Sequence, residues 1–487
     1  MSTKSKMMHY SKIFAVLILP IFAMLSCNKN GNISPIDPQT PIEGSKDVAV
    51  WMTKANEQML LEKQSSYLSY VSSPNYYETI DVNPTKTFQT VDGFGYTLTG
   101  GSAFLINRME ITKQQKLLDE FFSCAENGIC VSYLRISMGA SDLDDQVFSY
   151  NDILPTNEDL SLSKFSLSKD TIHLIPILKK ILAINPEIKI MATPWSAPLW
   201  MKDNKQSVGG SLLQKYYGVY ADYFVAYLKA MKNQGININA VTLQNEPQHG
   251  GNNPSMVMSS AEQADFVANH LGPKFKKENI NTKIIVWDHN CDNPSYPIDV
   301  LKNAEANPFI DGSAFHLYSG NIDALSQVHQ AFPDKNVYFT EQWTGAKGNF
   351  AGDFKWHIKN VIIGSMKNWS KTALEWNLAN DVTFGPHTPG GCTECKGAVT
   401  ITGNTYSKNV AYYIIGQVSK FVPAGSKVIE TSNLASIPNV AFITPNEKVI
   451  LITLNESEDT KIFNIGFGGK KAIATLPANT AGTYILN

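Results

Sequence analysis

The chain has 487 residues, of which 43% are apolar and 17% charged, and a formal net charge of −2. That length accommodates one large domain of about 250 residues or more with a smaller one beside it. Lysine and arginine are spread along the chain without a basic block, so the composition argues against a nucleic-acid partner.

In chain order, the first segment reads as an export signal rather than as fold. Lys4, Lys6 and Lys12 precede an apolar run from Ile13 to Met24, which has the length of a signal core and is too short to span a bilayer. It leads into "MLSC", with Cys27 directly after Ser26; this resembles a lipobox, although Leu25 stands one place later than the usual pattern has it. The expectation is cleavage and diacylation at Cys27, with a plain secretory signal as the alternative. Residues 28–45 are a polar, Pro- and Gly-containing tether. Lipid and tether together predict an exported bacterial lipoprotein held at the outer membrane, periplasmic or surface face open, and anchored to the membrane rather than spanning it.

Residues 46–90 contain "KDVAVWMTKA" and "YYETIDVNPTKTFQTV", which have strand texture. Eight short apolar runs then begin near Val91, Val131, Ile188, Asn239, Thr282, Gly312, Asn336 and Thr372. Helical stretches separate them, among them Lys113 to Ala125, Asp170 to Asn185, Leu212 to Gly235, Ser260 to Asn279 and Asp353 to Asn368. Strand and helix alternating eight times predicts an α/β fold, a parallel (β/α)8 barrel, over residues 91–420. From about Val428 the texture changes to short strands with turns between them. Residues 46–90 and 421–487 are therefore expected to form one side β-sandwich domain built from both chain ends.

Six cysteines less Cys27 leave Cys124, Cys130, Cys291, Cys392 and Cys395. Export permits disulfides. Cys392 and Cys395 form a CxxC in a Gly-rich loop that lacks the strand-to-helix setting of a redox motif, and "CAENGIC" is a poor second pair for zinc. A local loop staple between Cys392 and Cys395 is the preferred reading. The odd count leaves one thiol free; the pairing of Cys124, Cys130 and Cys291 is open, with Cys291 the candidate for the free one. The histidines are scattered and no metal or cofactor site is expected.

The ends of the predicted barrel strands carry the chemistry. "AVTLQNEP" begins as a buried strand and delivers Asn245 and Glu246 to its end, where Pro247 stops the pairing. Arg135 and Asp142 stand around strand two, Trp195 at three, Asp288 and His289 at five, His316 and Tyr318 at six, Glu341 and Trp343 at seven, and Trp376 at eight. In such barrels reagents sit at the C-terminal ends of the strands. Either Glu246 or Glu341 alone could be a salt-bridged strut. Two carboxyls facing one mouth ringed by Trp and Tyr fit cleavage of a glycosidic bond, one protonated and the other ionised.

The segments "VDGFGYTLTGGSA", "YLRISMGASDL", "ATPWSAPLWMK", "TLQNEP", "FHLYSG", "YFTEQW" and "LEWNLAND" together resemble glycoside hydrolase family 30, the glucosylceramidase and β-1,6-glucanase group, from about Val48 to the C-terminus. The resemblance implies retaining double displacement with Glu246 as acid/base and Glu341 as nucleophile. It implies that Asp142, Trp195, Asn245, His316, Tyr318 and Trp376 line the sugar subsite, that Arg135 supports the nucleophile, and that Trp343 joins the wall. Gly100 and Gly101 depart from the glucosylceramidase branch, which has an acidic residue followed by Ala there. The reading that follows is an open mouth with space for a polymer and an endo-acting β-1,6-glucanase. The alternatives are a glucosylceramidase-type β-glucosidase and, from another class, a sugar-binding lipoprotein.

Overall fold

The computed structural model describes residues 46–487 apart from 73. The signal segment, Cys27 and the tether lie outside the described residues. All eight expected strands form: Gly93–Leu98, Tyr133–Ser137, Lys189–Thr193, Ala240–Thr242, Lys283–Cys291, Ile310–Gly320, Asn336–Glu341 and Ser370–Asn377, hereafter barrel strands one to eight. Each pairs in parallel with its sequence neighbour, and strand eight closes on strand one with Thr372 opposite Gly93. Alternation explains the two layers. Outward residues such as Leu134, Ile190, Val241, Phe315 and Phe339 join the large core beneath the helices, while Tyr133, Met191, Ala240, Ile285, Ala314, Tyr338 and Leu374 form a separate apolar plug inside the barrel.

The helices follow the expected periodicity with two additions. Helix Gly100–Asn107 opens directly after strand one, capped by the Thr99 hydroxyl accepting from the Ser102 amide. A further buried helix, Val410–Ser419, follows strand eight.

The sandwich is assembled from both ends of the described chain. Val48–Lys54 pairs antiparallel with Thr480–Leu486, and Thr79–Thr90 lies between Lys427–Thr431 and Lys461–Phe467. Val48, Val50 and Met52 alternate into the sandwich core with Ile80, Leu451, Phe463 and Tyr484. Helix Val410–Ser419 ties this sheet to the barrel. The Gln417 amide accepts from Thr53 and donates to Thr483, both at 2.8 Å, so the buried polar group is satisfied across the join.

Candidate active site

Above the apolar plug, the next inward positions are polar. Two residues beyond Tyr133, Met191, Ala240, Ala314, Tyr338 and Leu374 stand Arg135, Thr193, Thr242, His316, Thr340 and Trp376, as the period of a strand requires. Strand five breaks the rule. Ile285 faces in, so Trp287 should too, but Trp287 and Asp288 both have positive φ (71° and 68°), and the register against strand six slips there. The bulge sends Trp287 outward, its ring centroid 4.4 Å from that of Tyr296, and brings Asp288 into the barrel.

Asp288 is fully buried and organises the floor of the site. It accepts from Arg135 at 2.9 Å, Thr242 at 2.8 Å, Thr340 at 2.7 Å and His316 at 3.2 Å. Burial disfavours its charge, but Arg135 and the His316 hydrogen bond outweigh that and hold its carboxyl well below the usual range. Arg135 in turn donates to Glu341 at 2.5 Å and to the Asn245 side-chain oxygen at 2.7 Å. Because a guanidinium only donates, this contact fixes the orientation of the Asn245 amide and leaves its NH2 group as the unspent donor. Burial opposes the Arg135 charge, yet Asp288 and Glu341 raise its proton affinity further, so it stays cationic.

His316 touches carboxylates through both ring nitrogens, Nδ1 to Glu246 at 3.1 Å and Nε2 to Asp288 at 3.2 Å. Asp288 is ionised and Glu246 accepts through Oε1, so both nitrogens carry protons and the ring is an imidazolium. Burial pulls its pKa down, but Glu341, Asp288 and Glu246 together push it up to about 9. His316 was expected to line the sugar subsite; it is instead fully buried and secures Glu246 from below. Among the described residues, the atoms of Glu246, His316 and Glu341 are the grouping close enough to bracket a metal ion. A protonated imidazole cannot ligate one, so the donor set does not fit a metal.

The two glutamates occupy the mouth. Glu246 has φ 45°, a left-handed turn immediately before Pro247 that aims its side chain inward, and its amide donates to the Asp288 carbonyl at 3.0 Å. Gln244, in the same run, is structural: its amide donates to the Trp195 carbonyl at 2.7 Å. Glu341 accepts from Arg135 on one oxygen and from the Tyr318 hydroxyl on the other at 2.9 Å. One oxygen of each glutamate and the His316 nitrogen lie within 4.8 Å of one another. Burial pushes the Glu341 carboxyl up, with Glu246 and Asp288 adding to the push against His316 and Arg135, while the His316 bond and charge draw Glu246 down against its burial. The carboxyls therefore titrate as a pair. Hydrogen bonding decides where their excess proton can act. A proton on Glu341 displaces Arg135 or Tyr318, whereas Glu246 Oε2 accepts from none of the described residues.

A cavity of about 290 Å³ opens over these groups, lined by Asp142, Trp195, Asn245, Glu246, Tyr318, Glu341, Trp343 and Trp376 among the expected residues, and also by His249, Asn252, His289 and Asn290. Trp195 and Trp376 pack with ring centroids 5.5 Å apart, and the Arg135 guanidinium lies 4.7 Å from the Trp195 centroid. Tyr318 is held as a neutral phenol by burial and the Glu341 charge. Burial and the Glu341 charge push Asp142 up to about 7, so its carboxyl can donate as well as accept. His289 is lowered by burial to about 4 and is neutral.

Cys392 and Cys395 are disulfide-bonded as expected, and both line the cavity, so this staple borders the mouth. Cys124 pairs with Cys130, and Cys291 is the buried free thiol. The glycines behave differently from the expectation. A Cβ on Gly100 would lie 1.6 Å from Asp144 Oδ1, and one on Gly101 would lie 2.5 Å from the Leu143 carbonyl. They do not open space for a polymer; they let the 141–144 turn close down on the first helix, which seats Asp142 at the mouth.

A closed parallel barrel with paired carboxyls and a tryptophan wall at its C-terminal mouth defines a glycosidase of the barrel class. The comparisons with known proteins agree: the Glycosyl hydrolase family 30 TIM-barrel domain matches residues 91–422 and the family 30 beta sandwich domain residues 425–484. The chain belongs to glycosyl hydrolase family 30 and is a glycoside hydrolase. It is 32% identical to the endo-1,6-β-D-glucanase neg1 of Aspergillus fumigatus over 443 residues, 85% of this chain and 88% of that one. It is 28% identical to the lysosomal acid glucosylceramidase of Mus musculus over 406 residues, 78% of each chain. Among solved structures, the endo-β1,6-glucanase BT3312 superposes with a TM-score of 0.85 at 34% identity, covering 90% of this chain and 99% of that one.

Proposed function

We propose that this family 30 enzyme is an endo-acting β-1,6-glucanase that retains anomeric configuration. The observation that carries the mechanism is the approach of the two glutamates, with carboxyl oxygens within 4.8 Å. Retaining enzymes hold their carboxyls about 5–5.5 Å apart, whereas inverting enzymes leave about 6.5–9.5 Å for a water. Glu341, held ionised by Arg135 and Tyr318, attacks the anomeric carbon. The bond to the leaving oxygen breaks as Glu246 Oε2 gives that oxygen its proton, and a glycosyl ester on Glu341 forms. Water then attacks the same carbon, Glu246 takes its proton, and the ester carboxylate leaves. Two cations, Arg135 and His316, face three carboxyls, Asp288, Glu341 and Glu246, so a neutral floor requires one carboxyl to hold a proton. The Asn245 NH2 is placed to donate to a sugar hydroxyl as charge develops on the ring.

The substrate reading rests on similarity over most of the chain to proteins named as endo-β-1,6-glucanases. A glucosylceramidase-type β-glucosidase is the second reading, favoured by the mouse relative. We also propose export as a lipoprotein through Cys27 at the outer membrane; among the described residues no helix is long and apolar enough to cross a membrane. Product analysis on β-1,6-glucan, β-1,3-glucan, xylan and glucosylceramide tests the substrate. Oligosaccharides from β-1,6-glucan, first released as the β-anomer by NMR, are the expected result. Turnover of glucosylceramide without any of β-1,6-glucan overturns it in favour of the second reading.

A further inference from the structure

Trp343 lines the catalytic cavity and also a separate cleft of about 310 Å³, close in size to the 290 Å³ cavity that takes the attacked sugar. This second cleft lies between the loop after strand seven and helix Phe350–His357. Its walls are Trp343, Trp356 and Gln342, with the Lys347–Glu394 ion pair at the rim. Three features mark it as built for a ligand. Trp356 is a large aromatic left 39% exposed, although its helix buries Phe354 and His357. Gln342 is only 6% exposed, yet its Oε1 is buried with no hydrogen-bond partner among the described residues. That acceptor is an unspent hydrogen-bonding group at the wall of the cleft. Finally, the floor of the cleft is continuous with the catalytic wall. The ribbon Thr344–Gly345 with Cys395–Lys396 carries Cys395 into the catalytic cavity and Glu394 into the cleft, and the Cys392–Cys395 bond pins it.

We propose that this cleft is a second sugar subsite that seats a further glucosyl unit of the chain being cut, stacked on Trp356 and bound through its hydroxyls to the Gln342 amide. The proposal deepens the β-1,6-glucanase reading and rests on it. Sugars present apolar C–H faces to indole rings and hydroxyls to amides, the two chemistries this cleft offers together. The linkage suits the geometry as well. A 1,6-linkage has one more rotatable bond than a 1,3- or 1,4-linkage, and that freedom allows the chain to turn over the edge of Trp343 from one cavity into the other.

The test compares wild type, Trp356→Ala and Trp356→Tyr on β-1,6-linked gluco-oligosaccharides of increasing length, on the polymer, and on an aryl β-glucoside too short to reach the cleft. The quantity read is the ratio of kcat/KM on the polymer to that on the aryl glucoside. It is expected to fall roughly tenfold in Trp356→Ala and to recover in large part in Trp356→Tyr, because stacking survives. An unchanged ratio in Trp356→Ala, with wild type active on the polymer, overturns the subsite and leaves the substrate reading standing. Wild type inactive on β-1,6-glucan overturns the substrate reading; the same ratio, taken on whichever polymer is cut, then decides the cleft. Wild type that cuts only monoglycosides overturns both.

Discussion

At the N-terminal end of the barrel, Asp92 pairs with Lys189 at 2.8 Å and lies 3.8 Å from Lys283 and Lys371, and Lys283 reaches Asp311 at 3.3 Å. Asp92 and Lys371 keep only 11% and 13% of their side chains exposed, but Lys189 and Lys283 keep 35% and 37%, so water reaches this network through two of its lysines. At the C-terminal end, Arg135, Asp288 and His316 are wholly buried, and only one another and the two glutamates neutralise them. The two ends use similar ionic chemistry under different screening. Near the surface a pair is worth at most about 1 kcal/mol, whereas breaking a buried one strands a charge and costs several times more. Partly solvated charge can tie the barrel shut, but only the wholly buried cluster can set proton positions.

The largest expected effects lie at the catalytic mouth. Glu341→Gln is expected to lower kcat by roughly 10⁴-fold or more on every substrate with the fold retained by circular dichroism. Azide should rescue Glu246→Ala, giving a glycosyl azide of retained configuration; rescue of Glu341→Ala with retention would exchange the two roles. Next in size is a matched pair across the barrel. Asp288→Asn removes the charged acceptor that Arg135, His316, Thr242 and Thr340 share and should cost about 3–5 kcal/mol in denaturant unfolding, with activity lost. Asp92→Asn, whose partners Lys189 and Lys283 reach water, should cost less, about 1–2 kcal/mol, with kcat unchanged. Equal losses would show that burial does not separate the two ends.

The pH dependence follows from His316. Its pKa is raised in the fold from the ordinary 6.5 to about 9, so its contribution to stability is whole below about 6.5 and is lost as pH rises through about 9. Melting temperature should therefore fall between pH 7 and 9.5 in wild type and fall less in His316→Gln. Parallel profiles would mean the ring is neutral. The smallest effect belongs to the staple beside the cavity. Cys392→Ser opens a loop of only two intervening residues, so melting should shift by roughly 2 °C or less, while KM for β-1,6-glucan rises severalfold. A large loss of stability with unchanged kinetics would make the disulfide a strut instead.

Much of the catalytic mouth was legible from strand ends. Asn245 and Glu246 before Pro247, and Glu341 at the end of "VYFTE", stand where an apolar run stops being buried, and a barrel gathers such ends into one place. His316 was legible as a mouth residue but not in its task. Its side-chain partner Asp288 enters the barrel only through the strand-five bulge, and strict alternation would point that residue away.

Strand period, helix period and breakers are local properties that survive without tertiary contacts, so the eight alternating units, the sandwich strands at both ends of the described chain and the two strand-end glutamates can be read along the chain. The remainder depends on what packs against what. Gly100 and Gly101 proved to be sites of close approach to the 141–144 turn, since a missing Cβ is read as space or as contact depending on what packs there. Trp356 reads along the chain as one aromatic on a helix, and Trp343 as one wall of one pocket. That they line a second cleft together follows from how the strand-seven loop and helix Phe350–His357 pack, a non-local contact that no spacing within either segment encodes.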